Sequence, residues 1–355
     1  MSTARRLVVK IGSSSVTDEN GAPNVELLRR LAVEIDELMT AGTEVVVVSS
    51  GAVAAGWAAI GAGAPRPADL AVLQAASAVG QHRLMSTWAG AFEDADRVVG
   101  QVLLAPNDFA DRSQYLHARQ TLDQLLGLGV VPIVNENDAV ADDEIRFGDN
   151  DRLAALVSHL IGASRLIMLT DAPGLLSANP QLDPEATLIE EVTEFDRSLM
   201  ELAGGPGSEV GSGGMASKLA AARIATWSGV EAVIAQASAE GVLSALERGE
   251  AVGTRFVAHE AKLSARKLWI AFALAPAGRV VIDAGAVAAL RSGGSSLLAQ
   301  GVLRHEGTYA SEDAVEVADE HGALIAKGLV RFGAGESAPE GDPVLIHRDD
   351  LVLLD

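Results

Sequence analysis

The sequence predicts an α/β protein: an open, doubly wound, mainly parallel sheet, followed by a small, mainly β domain. Three observations carry this expectation. Short aliphatic runs recur through the first two thirds of the chain, and helix-patterned segments separate them. From about Gly278 the pattern changes to short strands broken by glycine-rich turns. At 355 residues there is room for both parts.

The strand candidates, in order, are Leu7–Ile11, Val45–Ser49, Val98–Leu104, Val130–Val134, Leu166–Thr170 and Ala232–Gln236. They show little in/out alternation, which suits strands covered on both faces of a parallel sheet. Leu28, Leu31, Ile35 and Leu38 recur at helical spacing, and Gly42 supplies a stop. Leu70–Trp88, Ala118–Leu126, Asp151–Ile161 and Ser217–Trp227 are the further helix candidates. In the last part, Arg279–Ile282 and Pro343–His347 read as strands and Ala284–Arg291 as a helix. The expected division is a first domain over 1–258, a connector over 259–276 and a second domain over 277–355.

Composition narrows the function. Aromatic residues are only 4%, so the core must be built from Ala, Val, Leu and Ile. The net charge of −21 disfavours nonspecific contact with nucleic acid or anionic membrane. It leaves room for phosphate ligands, which need only a few local lysines and amides. Cysteine is absent, which excludes disulfides, thiolate metal sites and cysteine nucleophiles. The seven histidines are scattered and none forms an H-E-x-x-H pair, so no metal-ligating residue is nominated. Met1–Arg6 leads straight into the first strand candidate, with no signal-peptide pattern. The most apolar later stretch, Leu268–Ala277, is about half the roughly 20 residues that span a bilayer. A soluble, cytoplasmic protein without membrane contact is expected.

In an open parallel sheet, ligands collect beyond the carboxyl ends of the strands. Here those ends read Lys10-Ile11-Gly12-Ser13-Ser14, Ser49-Ser50-Gly51-Ala52, Asn135-Glu136-Asn137-Asp138 and Thr170-Asp171. A further polar segment, Gly148-Asp149-Asn150-Asp151, opens a helix. Each alone reads as an ordinary turn or cap. Their convergence on one rim is what points to a site. The strongest segment is Gly211-Ser212-Gly213-Gly214-Met215-Ala216-Ser217-Lys218, where glycines deliver backbone amides to a helix start and Lys218 adds a full charge. It is neither a P-loop nor a G-x-G-x-x-G fingerprint.

These segments, in this order, resemble the glutamate 5-kinases of the amino acid kinase family, with a C-terminal PUA domain. The resemblance rests on Val8 to Ser14, Val48 to Gly56, Val134 to Asp138, Gly148 to Asp151, Leu169 to Asp171 and Gly213-Gly214-Met215-x-x-Lys218. The tail adds Arg291 to Leu298 and His347 to Asp350. The lysine and glycine segments belong to the wider family; Asn-Glu-Asn-Asp, Gly-Asp-Asn-Asp and the tail point to glutamate. Ser13-Ser14-Ser15 stands where the family usually has Thr-Ser-hydrophobic, which conserves hydroxyl character.

The resemblance implies transfer of the ATP γ-phosphoryl group to the side-chain carboxylate of L-glutamate, the first step of proline synthesis. It assigns Lys10 and Lys218 to phosphate and transition-state charge, with Asp151 holding the two lysines. Gly12 and Ser13 would bring backbone donors to the phosphates. Ser50, Asp138 and Asn150 would bind glutamate, Asp138 its ammonium and Ser50 its carboxylate. Thr170, Asp171, Ser212, Gly213, Gly214, Met215, Ala216, Ser217 and Lys218 would contact the nucleotide. Mg²⁺ is expected on ATP with few protein ligands. A glutamate side chain, with a pKa of about 4.3, arrives ionised, so the acceptor needs no general base. The obstacle is bringing an anion to a polyanion, which calls for alignment and charge neutralisation. The resemblance further implies feedback inhibition by proline, a homo-oligomer, and a separate glutamyl phosphate reductase downstream.

Kinases acting on acetylglutamate, aspartate, carbamate or UMP would share the lysines and the glycine loop but not the Asn-Glu-Asn-Asp segment with this tail. An RNA-binding role for the tail is disfavoured by charge. Residues 277–355 carry six Lys and Arg against thirteen Asp and Glu.

Overall fold

The computed structural model describes residues 4–61, 63–109, 111–140, 150–180, 183–195, 199, 214–259, 263–336 and 343–354. The chain forms two compact units, Met1–Lys262 and Leu263–Asp355.

The first unit is built on one eight-stranded sheet. Its strands are β1 (Arg6–Ile11), β2 (Glu44–Ser49), β3 (Val99–Leu104), β4 (Val131–Glu136), β5 (Arg165–Thr170), β6 (Glu191–Val192), β7 (Glu231–Gln236) and β8 (Thr254–Phe256). They lie in the order β3-β4-β2-β1-β5-β7-β8-β6. All six aliphatic runs are strands, and they pair in parallel from β3 across to β7. The last two strands went unread in the sequence. β6 is two residues long and β8 three, too short for a periodic signal, and β8 runs antiparallel to β7.

Helices cover both faces: α1 (Val25–Thr40), α2 (Ala52–Ile60), α3 (Leu70–Ala91), α4 (Arg112–Gly127), α5 (Asn150–Leu160), α6 (Gly214–Trp227) and α7 (Val242–Glu247). Pleating divides β1 between two environments. Leu7, Val9 and Ile11 join the core with Leu28, Leu31 and Ile35 of α1 and with Leu84 and Trp88 of α3. Val8 and Lys10 therefore face the other way. Capping explains one displaced boundary. α4 starts six residues before the expected Ala118, because the Asp111 side chain accepts from the Gln114 amide.

α2 was also unread, since Ala52-Val53-Ala54-Ala55 follows a strand without a side-chain cap. Gly51 starts it in the left-handed region, at φ +90°, with Thr17 and Val16 packed where a Cβ would stand. α2 then crosses α3 at very short range. A Cβ at Gly56 would stand 1.7 Å from the Ala76 carbonyl oxygen, and one at Gly80 would stand 1.7 Å from the Ala52 carbonyl oxygen. Gly80→Ala forces the helices apart, and the overpacking cost of about 1–3 kcal/mol outweighs the roughly 1 kcal/mol that alanine gains in a helix. A lower denaturant midpoint is expected; an unchanged one would contradict this packing.

The second unit contains the sheet β11-β9-β12-β13-β15 and the pair β10-β14. Here β9 is Gly278–Ile282, β10 Leu297–Leu298, β11 Val302–Gly307, β12 Ala314–Ala318, β13 Leu324–Leu329, β14 Val344–Ile346 and β15 Leu351–Leu353. The helix α8 (Ala284–Arg291) has the bounds its sequence suggests. Val280, Ile282, Leu290, Val315, Val317 and Leu345 form its core. Within this unit, the buried Lys327 ammonium donates to the carbonyls of Ala271 and Leu274. Residues 263–276, part of the connector expected over 259–276, are thereby fastened to β13.

Candidate active site

The connections from β1 run outward to β2 on one side, and β5 returns on the other side of β1. That reversal is the crevice where an open α/β sheet accepts a ligand. Lys10 stands there, one residue before the end of β1 and in register with Val48 of β2 and Met168 of β5. Its side chain reaches the first turn of α5, where its ammonium meets Asp151 Oδ1 at 2.6 Å. The other carboxylate oxygen receives the Ser217 hydroxyl at 2.7 Å and the Lys218 ammonium at 3.3 Å, both from the first turns of α6. Lys218 also donates to the Gly214 carbonyl at 3.1 Å.

Lys10, Asp151 and Lys218 are only 4%, 4% and 6% exposed. Buried charges at this depth require partners, and here two cations share one anion. Burial, the largest influence on Asp151, pushes its carboxyl upward; together Lys10, Lys218 and the Ser217 hydroxyl overcome that and hold it below the ordinary value. Asp151 therefore stays ionised, and the cluster keeps one net positive charge. Glycines flank both lysines. A Cβ at Gly12 would lie 3.8 Å from the Lys10 ammonium nitrogen, and one at Gly214 would lie 3.9 Å from that of Lys218. Neither glycine places a side chain against its neighbouring ammonium.

The Gly12 amide donates to the Leu169 carbonyl at 3.1 Å, extending the β1–β5 pairing. The amide is therefore engaged within the sheet. Ser13 and Ser14 are exposed at the first positions of the Ser13–Val16 turn, where backbone amides have no partner within the helix. Ser15, the departure from the family pattern, is buried. Thr170 ends β5 with its hydroxyl donated to Asp171 Oδ1 at 2.9 Å, and Asp171 is exposed. Gly214, Met215, Ala216, Ser217 and Lys218 form the start of α6. Ser212 and Gly213 lie outside the described residues, as do Gly148 and Asp149.

A second group gathers at the ends of β2 and β4, which are neighbours in the sheet. Ser50, between β2 and α2, is buried. Asn150 opens α5 and accepts from the Glu136 amide through Oδ1 at 3.1 Å. Asp138 is buried, with Ser77 donating to Oδ2 at 3.4 Å. Its Oδ1 is buried and has no hydrogen-bond partner among the described residues. Burial raises its carboxyl to about 6, against the opposing influence of the Ser77 hydroxyl and the Arg66 charge. A buried acceptor of this kind ordinarily has a donor.

The polar contacts of α3 were missed in the sequence. Ser77, Gln81 and Trp88 occupy its buried face, and the Trp88 indole donates to the Ser49 hydroxyl at 3.2 Å. A signal was available: Ser77 and Gln81 stand one turn apart in line with Leu73, Leu84 and Trp88, as polar interruptions of an apolar stripe.

A buried cation pair bridged by a carboxylate, set at the reversal of a parallel sheet, is an anion-handling site of the kind used for phosphoryl transfer. The chain belongs to the amino acid kinase family, whose model matches residues 5–236, and a PUA domain model matches residues 278–348. Within that family it is 46% identical to the glutamate 5-kinase of Citrifermentans bemidjiense, over 99% of this chain and 98% of that one. The glutamate 5-kinase of Burkholderia mallei is 45% identical over the same shares. Among solved structures, the carbamate kinase of Giardia lamblia bound to AMP-PNP aligns with 73% of this chain and 100% of its own. Its TM-score is 0.50 at 17% identity, a likeness of fold. Among the described residues, no helix is long and apolar enough to cross a membrane.

Proposed function

We propose that this protein transfers the γ-phosphoryl group of ATP to the side-chain carboxylate of L-glutamate, giving L-glutamyl 5-phosphate, the first step of proline biosynthesis. The observation that carries the reading is the buried Lys10–Asp151–Lys218 cluster, with its glycine-lined space, beside the orphaned Asp138 carboxylate. The full-length similarity to glutamate 5-kinases supports the choice of acceptor.

The acceptor carboxylate is already ionised, so catalysis reduces to alignment and charge. Lys10 and Lys218 neutralise the charge of the transferring phosphoryl group. Asp151 fixes their spacing and limits their mutual repulsion. The Ser13 amide and the start of α6, with Met215, Ala216 and Ser217, meet the nucleotide phosphates; Thr170 and Asp171 lie toward the rest of the nucleotide. Asp138 Oδ1 accepts from the acceptor's ammonium, while Ser50 and Asn150 donate to its α-carboxylate.

Magnesium, arriving with ATP, would supply further charge neutralisation. Among the described residues, no group of three His, Cys, Asp or Glu is placed to hold it. Asp151 is already occupied by both lysines, and no protein ligand is proposed for the ion. The acyl phosphate product is labile, which calls for a reductase acting directly after it, and proline is the expected feedback inhibitor of a homo-oligomeric enzyme.

An acceptor panel tests the reading. ADP release is expected with L-glutamate, and not with acetylglutamate, aspartate, carbamate or UMP. Turnover on any of these in preference to glutamate would contradict it.

A further inference from the structure

We propose that Gln81 is a positioning residue for the acceptor, locking the carboxyl end of β4 so that Asn150 and Asp138 stand correctly toward the substrate. The inference rests on the acceptor reading above and adds a residue that it does not contain.

Gln81 is 7% exposed on the inner face of α3, and both ends of its amide are used. Nε2 donates to the Glu136 carbonyl at 3.1 Å. Oε1 accepts from Asn135 Nδ2 at 3.2 Å and from Gln101 Nε2, on the edge strand β3, at 3.4 Å. The last two residues of β4 are therefore held from one side chain, one through its backbone and one through its side chain.

The next link leads into the site. The Glu136 amide donates to Asn135 Oδ1 at 2.9 Å and to Asn150 Oδ1 at 3.1 Å. Asn135 is thus gripped at both ends, and Asn150 and Gln81 hold the N–H and the C=O of the same residue, Glu136. Asn150 immediately precedes Asp151, the anchor of both lysines. One turn before Gln81, Ser77 reaches Asp138. Gly80, the residue before Gln81, packs without a Cβ against α2.

The chemistry demands glutamine. One donor and one acceptor must be presented in a fixed plane, which an amide does and few other side chains can. Glutamate of the same shape would set a carboxylate oxygen against the Glu136 carbonyl. Methionine would fill the volume and satisfy neither group.

A purely structural polar cluster and a positioning residue differ in what they move. Loss of structure lowers thermal stability and affects both substrates alike, whereas misplacing the β4 end affects the acceptor selectively. The test compares full-length Gln81→Met, Gln81→Glu and Gln101→Met with the parent, by steady-state kinetics in each substrate and by thermal unfolding. For both Gln81 variants the acceptor KM is expected to rise about tenfold or more, with the ATP KM within about twofold of the parent. Gln101→Met, which removes only the outer bond of an exposed side chain, is expected to raise the acceptor KM by about two- to fivefold. If neither Gln81 variant folds, Gln101→Met decides: that rise supports the proposal, and an unchanged acceptor KM overturns it. Equal changes in both KM values, or none in a folded Gln81 variant, also overturn it. The acceptor KM is read on whichever carboxylate the parent phosphorylates. An acceptor other than glutamate would overturn the function reading and leave the KM split to judge Gln81.

Discussion

Replacing Lys218 by alanine is expected to lower kcat by about 10²-fold or more, the usual cost of deleting one preorganised transition-state donor. The ammonium is buried, 3.3 Å from Asp151 and beside Gly214, which brings no side chain against it. A charge held at that depth is poorly screened and needs no reorganisation when the phosphoryl group passes. The fold should tolerate the change, because Asp151 retains Lys10 at 2.6 Å and the Ser217 hydroxyl at 2.7 Å. The loss should therefore fall on kcat, with thermal stability much less affected. Lys218→Arg is not expected to restore the rate, since a planar guanidinium cannot occupy the position of a compact ammonium. Near-normal turnover in Lys218→Ala would remove the lysine from the mechanism.

Asp138→Ala is expected to raise the glutamate KM by an order of magnitude or more while leaving the ATP KM nearly unchanged. A buried charged hydrogen bond contributes about 1.5–3 kcal/mol, and 1.4 kcal/mol is tenfold in affinity. Equal effects on both substrates would contradict the ammonium role. The raised carboxyl gives the same assignment a pH signature. Only ionised Asp138 attracts an ammonium, so in the parent the glutamate KM should rise as pH falls through about 6 and level off above it. A flat profile between pH 5 and 8 would count against the role.

The sign of the stability effect runs the other way. A carboxyl whose folded pKa exceeds its ordinary 3.8 destabilises the fold when ionised, fully above about 6 and not at all below 3.8. Asp138→Asn should therefore raise the melting temperature of the unliganded protein at pH 8 while weakening glutamate. Lower stability there would show that the orphaned oxygen has a structural partner.

Much of this was legible in the sequence. Runs such as Leu7–Ile11 and Leu166–Thr170 read as strands because both faces are buried, and the polar residues at their ends announce the rim. Lys10, Asp151 and Lys218 were all nominated. Their convergence on one carboxylate was not readable from spacing, since β1, α5 and α6 meet only through the topology of the sheet. Resemblance, not periodicity, supplied the Asp151 role. β6 and β8 escaped notice because two or three residues carry no period. α2 escaped because its start depends on Gly51 in a left-handed conformation instead of a capping side chain. Gln81 escaped because an amide inside a helical pattern looks like a surface residue until Glu136, Asn135 and Gln101 are placed around it. The commitment of the Gly12 amide to Leu169 likewise depends on β5 lying beside β1.

Phosphorylation of a γ-carboxylate driven by the two lysines is measured most directly as glutamyl hydroxamate formed from L-glutamate, ATP and hydroxylamine, in the parent and in Lys218→Ala. Hydroxylamine traps the acyl phosphate itself, so a signal that requires ATP and falls about 10²-fold in the variant is the predicted result. ATP-dependent ADP release with no hydroxamate, or equal hydroxamate in both proteins, would contradict it.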